Sequence, residues 1–396
     1  MRVGVFLEDL PPQIGGGYTI QADILQSLLD LAGESRHTFT VLCRRPQDLA
    51  VALKFSPLRA APFPGTLARR IVSRASRELA SWRGRQKARN RLEHVAREEG
   101  IEFIWFVGAE AVQVDLPYCA IVWDLQHRLQ PWFPEVSAGG QWDHREIFYS
   151  RFLRRAAVII ASTQAGRREI ERFYDVPAER IRVLPHPTPR FALEARPGDD
   201  DQVLVRYGLE AGYLFYPAQF WPHKNHANLL FAVARLREEH ALSLEVVFAG
   251  SDKGNKDYVR DLANGLGLNA QVHFLGFVSQ GDLAALYRKA FALTYLSFFG
   301  PENLPPLEAF ALGCPVIAAD VPGSAEQLGD AALLVDPKDV EQIAAAIKSL
   351  HDDVELPRRL VVRGRDRALA RTGNHFVRGV FSFLDEFENV RRCWPR

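Results

Sequence analysis

The densest cluster of residue types able to do chemistry lies in SFFGPENLPPLEAFALGCPVIAAD, residues 297–320. Asn303 followed by Pro305 and Pro306 predicts a capped helix start, with Glu308 expected in its first turn. A helix N-terminus presents backbone N–H groups without intrahelical partners and the positive end of the helix dipole, which suits a phosphate or a hydroxylated ligand. Gly313 then ends the helix and Pro315 opens PVIAA, an apolar run that reads as a buried strand. The segment is therefore placed at the carboxyl edge of a parallel sheet, where ligands collect. Glu302 offers a second carboxylate beside the turn. An alternative use of Glu308 is only to favour the helix start electrostatically.

Three further stretches carry candidate groups. In PAQFWPHKNHANLL, residues 217–230, a strand runs into a helix opened near Asn225, which sets Lys224 at the helix start. A cation there opposes the dipole, so Lys224 is expected to face an anion, with His223 and His226 near enough to add hydrogen bonds. VWDLQHRLQPWFPEVS, residues 122–137, leaves a strand and enters an aromatic loop bearing Asp124 and His127. Aromatic rings beside polar groups suit sugar faces and hydroxyls. Asp124 could instead cap the following turn and His127 could be a buried, noncatalytic ring. Gly15, Gly16 and Gly17 follow the first strand and precede a helix near Tyr18–Leu31, a geometry that lets backbone approach a phosphate. Asp199 and Asp201 form an Asp-x-Asp pair, but they follow Pro197 and Gly198 in a polar stretch rather than a buried strand, so they read as solvated and not as a metal site.

The Leu-Pro-x-Leu-Glu-Ala helix followed by Gly-x-Pro-Val-Ile resembles the donor-site signature of the retaining glycosyltransferases of family four. That resemblance implies the GT-B fold, an α/β architecture of two Rossmann-like doubly wound domains facing across a cleft, with a last helix crossing back to the first domain. It implies that Glu308 holds the ribose hydroxyls of a nucleotide-sugar donor and that Asn303 and Leu304 border the donor. A further family Glu, which contacts the donor sugar, falls in register on Gly300, with Glu302 two residues away. Asp124 matches the Asp of a His-Asp pair, Trp123 stands at the His position, and His127 is the nearest replacement for the imidazole. An Arg and a Lys neutralise the leaving diphosphate in the family; here they align with Gln219 and Lys224. Gly16 and Gly17 correspond to the loop that approaches the diphosphate, Phe277 and Val278 to the lining of the base pocket, and Glu326 to a group near the donor.

Positioning these groups requires two lobes. A chain of 396 residues exceeds one comfortable core. Strands are predicted at Arg2–Leu7, Phe39–Leu42, Ile101–Val107, Cys119–Trp123, Val158–Ala161 and Ile181–Leu184, then at Tyr213–Pro217, Leu244–Ala249, Val272–Leu275, Phe291–Leu296, Val316–Ala319 and Ala332–Val335. Helical patterns alternate with them, so both sheets are expected to be parallel. The reading divides the chain into an acceptor-side domain at 1–195, a polar linker near 196–203, a donor-binding domain at 203–373, and a final helix at 374–396 that packs back on the first domain. Residues 67–92 have apolar positions at helical spacing amid many Arg and Lys, a basic amphipathic helix suited to an ordinary packed face or to peripheral contact with an anionic membrane or a lipid diphosphate.

Composition excludes other classes. With 47% hydrophobic and 24% charged residues the chain is an ordinary globular protein, and a net charge of +1 gives no global pull toward nucleic acid. Cys43, Cys119, Cys314 and Cys393 are too scattered for a zinc site or a disulfide framework. No leader and no apolar run of membrane-spanning length is read, so the expected location is cytoplasmic, with peripheral contact at the inner membrane face as an option. The expected activity is a retaining, metal-independent transfer of a hexose from a nucleotide diphosphate sugar to a saccharide or lipid-linked saccharide acceptor, with no cofactor. Uridine and glucose are preferred on the donor, then guanosine and mannose. The resemblance implies front-face attack with the leaving phosphate as proton acceptor. Three rivals are a sugar-nucleotide epimerase or hydrolase on the same scaffold, an NAD-dependent oxidoreductase, and a noncatalytic saccharide-binding protein. The oxidoreductase requires a GxGxxG fingerprint with a following acidic residue, which neither half carries.

Overall fold

The computed structural model describes residues 1–10, 15–43, 58–62, 91–109 and 111–395. The predicted basic helix at 67–92 lies outside the described residues except for its last two positions. Among the described residues thirteen strands form two sheets. The first lobe contains β1 (Arg2–Phe6), β2 (Thr38–Cys43), β3 (Arg59–Pro62), β4 (Phe103–Phe106), β5 (Tyr118–Val122), β6 (Val158–Ala161) and β7 (Ile181–Val183), in the order β3-β2-β1-β4-β5-β6-β7. The second contains β8 (Leu214–Pro217), β9 (Val246–Ala249), β10 (Val272–Gly276), β11 (Ala292–Tyr295), β12 (Val316–Ala319) and β13 (Leu333–Val335), in the order β10-β9-β8-β11-β12-β13. Every pairing is parallel. The strands are continuous apolar runs such as FIWF in β4 and VIAA in β12, buried on both faces because helices cover both sides of the sheet.

In each sheet the strand order reverses once, between β1 and β4 and between β8 and β11. Loops leaving the carboxyl ends of strands at such a switch point diverge to opposite faces and open a crevice between them. The loop after β1 leads to α1 (Gly16–Leu31), that after β8 carries Lys224, and that after β11 carries Asn303. Gly16, Lys224 and Asn303 thus lie at the two switch points, whereas Asp124 and His127 follow β5, Phe277 follows β10 and Glu326 follows β12.

The helices that bear on the site are α1, α2 (Gln141–Arg155), α3 (Gln164–Tyr174), α4 (Asp200–Tyr207), α5 (His226–His240), α6 (Gln280–Lys289), α7 (Leu304–Leu312), α8 (Glu355–Ala370) and α9 (Gly373–Arg391). Thr372 caps α9, its hydroxyl accepting the His375 N–H, and Phe376, Val377, Val380, Phe383 and Leu384 bury themselves with Ile24, Leu28 and Phe103 in the first lobe's core. The chain therefore crosses from the second lobe back to the first. Among the described residues no helix is long and apolar enough to cross a membrane.

Two elements differ from the expectation. The stretch read as a polar linker at 196–203 is helical from Asp200 onward. Asp199 accepts the Gln202 N–H at 3.1 Å, Asp200 pairs with Arg288 at 2.6 Å, and Asp201 pairs with Lys289 at 2.6 Å. Three acidic residues at a helix start are stabilised by the dipole and by cations of a neighbouring helix, here α6, so the run is an N-terminus rather than a linker, with Asp199 and Asp201 exposed as read. Strand β3 was not anticipated, because RAAP has little strand propensity and is recruited by its parallel neighbour β2.

Candidate active site

Two helix N-termini meet where the lobes touch. Gly15 precedes α1 with φ of 81°, and Gly16 begins the helix. A Cβ on Gly16 would lie in ordinary contact with Leu304 Cδ1, at 3.4 Å, whereas one on Gly17 would lie only 3.0 Å from the Trp123 ring, so it is at Gly17 that the absent side chain lets the Trp123 indole close on the first turn of α1. Leu304, the first residue of α7, is buried within the first lobe's core cluster. It was expected to border the donor; its side chain instead joins the lobes.

Asn303 occupies the N-cap position without acting as a side-chain cap. Its Nδ2 donates to the Gly300 carbonyl at 3.1 Å, while its backbone N–H and C=O are both taken by the Gln327 carboxamide, at 3.1 and 2.7 Å. Gly300 has φ of 143°, and a Cβ there would meet the Asn303 carboxamide at 2.5 Å. The Asn303 side chain fills the space that a larger residue at 300 would need. Because Pro305 and Pro306 have no N–H and the Leu307 N–H belongs to the first intrahelical bond, the first turn of α7 can offer a ligand only the Leu304 amide.

The three glutamates divide into different roles. Glu302, expected near the donor sugar, has only 1% of its side chain exposed; it pairs with Arg371 and accepts the His186 N–H at 2.7 Å. Burial pushes its pKa up to about 8 against the pull of Arg371 and that N–H. It is a tie between the lobes at the point where the chain crosses. Glu326, expected beside the donor, accepts the N–H groups of Gln164 and Ala165 at 2.6 and 2.9 Å, capping α3 of the opposite lobe. A carboxylate on a helix N-terminus is favourable on both hydrogen-bonding and dipole grounds, so this side chain is committed to closure. Glu308 lies in the second turn of α7 rather than the first, is buried, and accepts the Tyr287 hydroxyl at 2.7 Å. Burial pushes it up to about 7, Tyr287 pulls it down, and Asp23 of α1 in the other lobe adds to the rise.

Lys224 ends a short 3₁₀ turn (Pro222–Lys224) just before α5. Its Nζ donates to the Tyr295 hydroxyl at 2.9 Å and lies 5.2 Å from that ring's centroid. Among the described residues it forms no ion pair with a carboxylate, which leaves its charge for a ligand. Asp124, at the end of β5, accepts the Gln126 N–H at 2.9 Å and pairs with Arg145 of α2. Arg145 outweighs the effect of burial and holds the carboxyl below the usual range. Asp124 thus both caps its turn and remains ionised at the cleft. His127 does not supply the missing imidazole: its ring is fully buried, stacks on Tyr149, and meets the Tyr174 hydroxyl at 3.0 Å, and burial drives its pKa down to about 4. Val278 is likewise a core residue, whereas Phe277 is 56% exposed and free to line a base. The sequence reading missed Tyr287, Tyr295 and Arg145, which orient Glu308, Lys224 and Asp124. Each lies far along the chain from its partner, in a helix or strand with no motif to mark it.

Residues 208–367 match the family described as glycosyl transferases group 1. The likeness to the group 1 glycosyltransferases thus lies in the second lobe. The match covers Lys224, Phe277, Asn303, Glu308 and Glu326. The O-antigen chain mannosyltransferase B of Escherichia coli is 32% identical over 203 residues, 51% of this chain and 53% of that protein. The chain spans about half the length of the curated relatives it matches. Among solved structures, sucrose-phosphate synthase from Thermosynechococcus elongatus superposes with a TM-score of 0.74 at 17% identity, over 98% of this chain and 99% of that one. Anabaena HepE, solved with UDP and glucose, superposes with a TM-score of 0.67 at 19% identity, over 96% and 99%. The likeness over nearly the whole chain establishes the two-lobed GT-B architecture.

Two outcomes are expected from this geometry. Glu302→Ala leaves the largely buried Arg371 unpaired and should cost about 3–5 kcal/mol in unfolding free energy. Asn303→Ala loses one hydrogen bond and no helix cap, about 0.5–1.5 kcal/mol. Urea titrations that ranked the two in the opposite order would return Asn303 to a capping role. The second concerns pH. Because the folded Glu308 titrates near pH 7 and an unfolded glutamate near pH ~4.3, the folded state holds an extra proton between them, and stability falls as pH rises through that window. Glu308→Gln should flatten the decline in Tm between about pH 5 and pH 8; an unchanged slope would mean that Glu308 is already ionised at the lower end.

Proposed function

We propose that the protein is a retaining, metal-independent hexosyltransferase that moves a sugar from a nucleotide diphosphate donor to a saccharide or lipid-linked saccharide acceptor in glycan biosynthesis. The observation that carries the reading is Lys224, a cation without a carboxylate partner among the described residues, held on Tyr295 at the switch point of the group 1 lobe. Departure of a nucleoside diphosphate builds negative charge, and Lys224 with the backbone N–H groups at the start of α1 would stabilise it. Glu308, anchored by Tyr287, would accept the ribose hydroxyls, and exposed Phe277 would stack on the base. The donor sugar would be held by the Leu304 amide rather than by Glu302.

On the donor, the names of relatives favour mannose, since both O-antigen chain enzymes among them are mannosyltransferases. The UDP seen in HepE favours uridine. Turnover of UDP-glucose and GDP-mannose decides between them. A peripheral membrane position through the basic 67–92 segment, and with it a cytoplasmic location, belongs to the same proposal if the acceptor is lipid-linked.

Lys224→Ala should lower kcat by about 10²–10³, the usual effect of removing one group that stabilises developing charge. A loss under about tenfold would assign the diphosphate to other groups. Donor turnover should also persist in excess chelator, because the charge compensation proposed here comes from Lys224 and helix termini. A strict requirement for added Mg²⁺ or Mn²⁺ would overturn the metal-independent reading.

A further inference from the structure

The cleft contains an imidazole to which the sequence reading gave only an auxiliary hydrogen-bonding part. His223 sits beside Lys224 on the second lobe, and Glu135 lies in the aromatic loop of the first. One carboxylate oxygen, Glu135 Oε1, accepts both the His223 backbone N–H, at 3.2 Å, and the ring Nδ1–H in a very short bond. The pair is nearly enclosed, with 12% of the His223 side chain and 6% of the Glu135 side chain exposed. The His223 backbone is pinned as well, its carbonyl accepting the Phe298 N–H at 2.8 Å, and the Phe133 ring meets the imidazole edge-on with centroids 6.2 Å apart. An ionised carboxylate can only accept, so Nδ1 carries the proton and Nε2 presents its lone pair. That nitrogen makes no hydrogen bond among the described residues, and it is not among the polar atoms sealed from solvent.

The other buried histidines do not compete for this role. His127 is sealed in the first lobe's core, His186 donates its backbone N–H to Glu302 beneath the interlobe tie, and His226 is sandwiched between Tyr216 and Phe220. The charged groups that face the His223 ring are Glu135 and Asp124 from the first lobe and Lys224 from its own. Burial holds His223 below the ordinary imidazole pKa despite Glu135, so the ring is neutral at pH 7 and available as a base. Glu135 lies below the usual carboxylate range because its hydrogen bonds with His223 outweigh its burial.

We propose that His223, oriented by Glu135 across the cleft, takes the proton from the acceptor hydroxyl during transfer. The step rests on the transferase reading above. As the acceptor oxygen bonds to the donor sugar's C1, its O–H bond breaks toward Nε2. The C1–O bond to the diphosphate breaks with its electron pair leaving on the nucleotide, and the imidazolium then releases its proton to water. His223 replaces the leaving phosphate as the proton acceptor, and Glu135 is its positioning residue. Because the two belong to different lobes, the base is oriented only when the lobes are closed.

Two measurements test this. Diethyl pyrocarbonate acylates accessible, unprotonated imidazole nitrogens, so peptide mapping at pH 7 should find His223 modified in the wild type and protected by UDP or GDP. A His223 left unmodified while the half-exposed His351 reacts would overturn the assignment. In turnover of UDP-glucose and GDP-mannose, His223→Gln should lower kcat by about 10²–10⁴ while the calorimetric Kd for the nucleoside diphosphate stays within about twofold. Retention of more than about a third of kcat would overturn it. A base works when unprotonated, so activity rises with pH through the His223 pKa. Glu135→Gln removes the negative charge that raises that pKa, and should both lower kcat and move the acidic limb to lower pH. An unmoved limb would remove Glu135 from its role. If the wild type transfers sugar from neither donor, the transferase reading fails on its own, before any variant is compared, and modification of His223 with protection by nucleotide then decides whether it is the reactive imidazole of the cleft.

Discussion

The contact of Leu304 with the glycine turn at Gly16 is the constraint from which the site follows. A parallel sheet sends its helices away from its carboxyl edge with their N-termini at that edge, so two such sheets facing one another bring positive dipole ends to a common cleft. The cleft closes only if one helix start can be driven against the other. Leu304, beside Gly16, is apolar enough to enter the first lobe's core. Between the two helices remain a few backbone N–H groups, fewer than two helix starts usually provide, because Pro305 and Pro306 carry none.

Carboxylates hold this closure, which explains why two of the expected donor-site glutamates are unavailable. Glu326 spends its charge on the start of α3, and Glu302 is locked between Arg371 and the His186 amide. Each spans the lobes, so each is worth most when the lobes are together. Glu308 belongs to a different class, since it is held by a neutral hydroxyl and faces another carboxyl, Asp23, across the interface; its charge is not compensated by a cation. Around Lys224 the balance is reversed, with a cation held by a tyrosine and no anion. The site is thus asymmetric, with an uncompensated cation on the second lobe's switch loop and carboxyls of raised pKa at the interface of α1 and α7.

What the sequence by itself determined is the part that depends on local pattern. Runs such as VIIA and VIAA are too short and too apolar to be anything but buried strands, and their alternation with helical periods leads to two parallel sheets. The Leu-Pro-Pro-Leu-Glu-Ala helix between two strands was legible as an element at the carboxyl edge of the second sheet, and Lys224 beside a helix start as a charge in search of an anion. Helix starts, glycine turns and proline positions are set within a few residues of chain, so a linear reading reaches them.

Only the tertiary structure decided what each polar side chain faces. His127 and His223 are both histidines in loops after strands, yet one is walled in by Tyr149 and Tyr174 and the other is gripped by a glutamate from the opposite lobe. Asp200 looked like linker charge until α6 brought Arg288 to it, while Asp201 faces solvent as read. Glu302 and Glu326 differ from Glu308 in nothing that spacing records; they differ in partners 116 and 162 positions away. The physical reason is that the cost or value of a charged group is set by burial and by neighbours within a few ångströms, and in a two-lobed protein those neighbours come from segments that no local pattern relates.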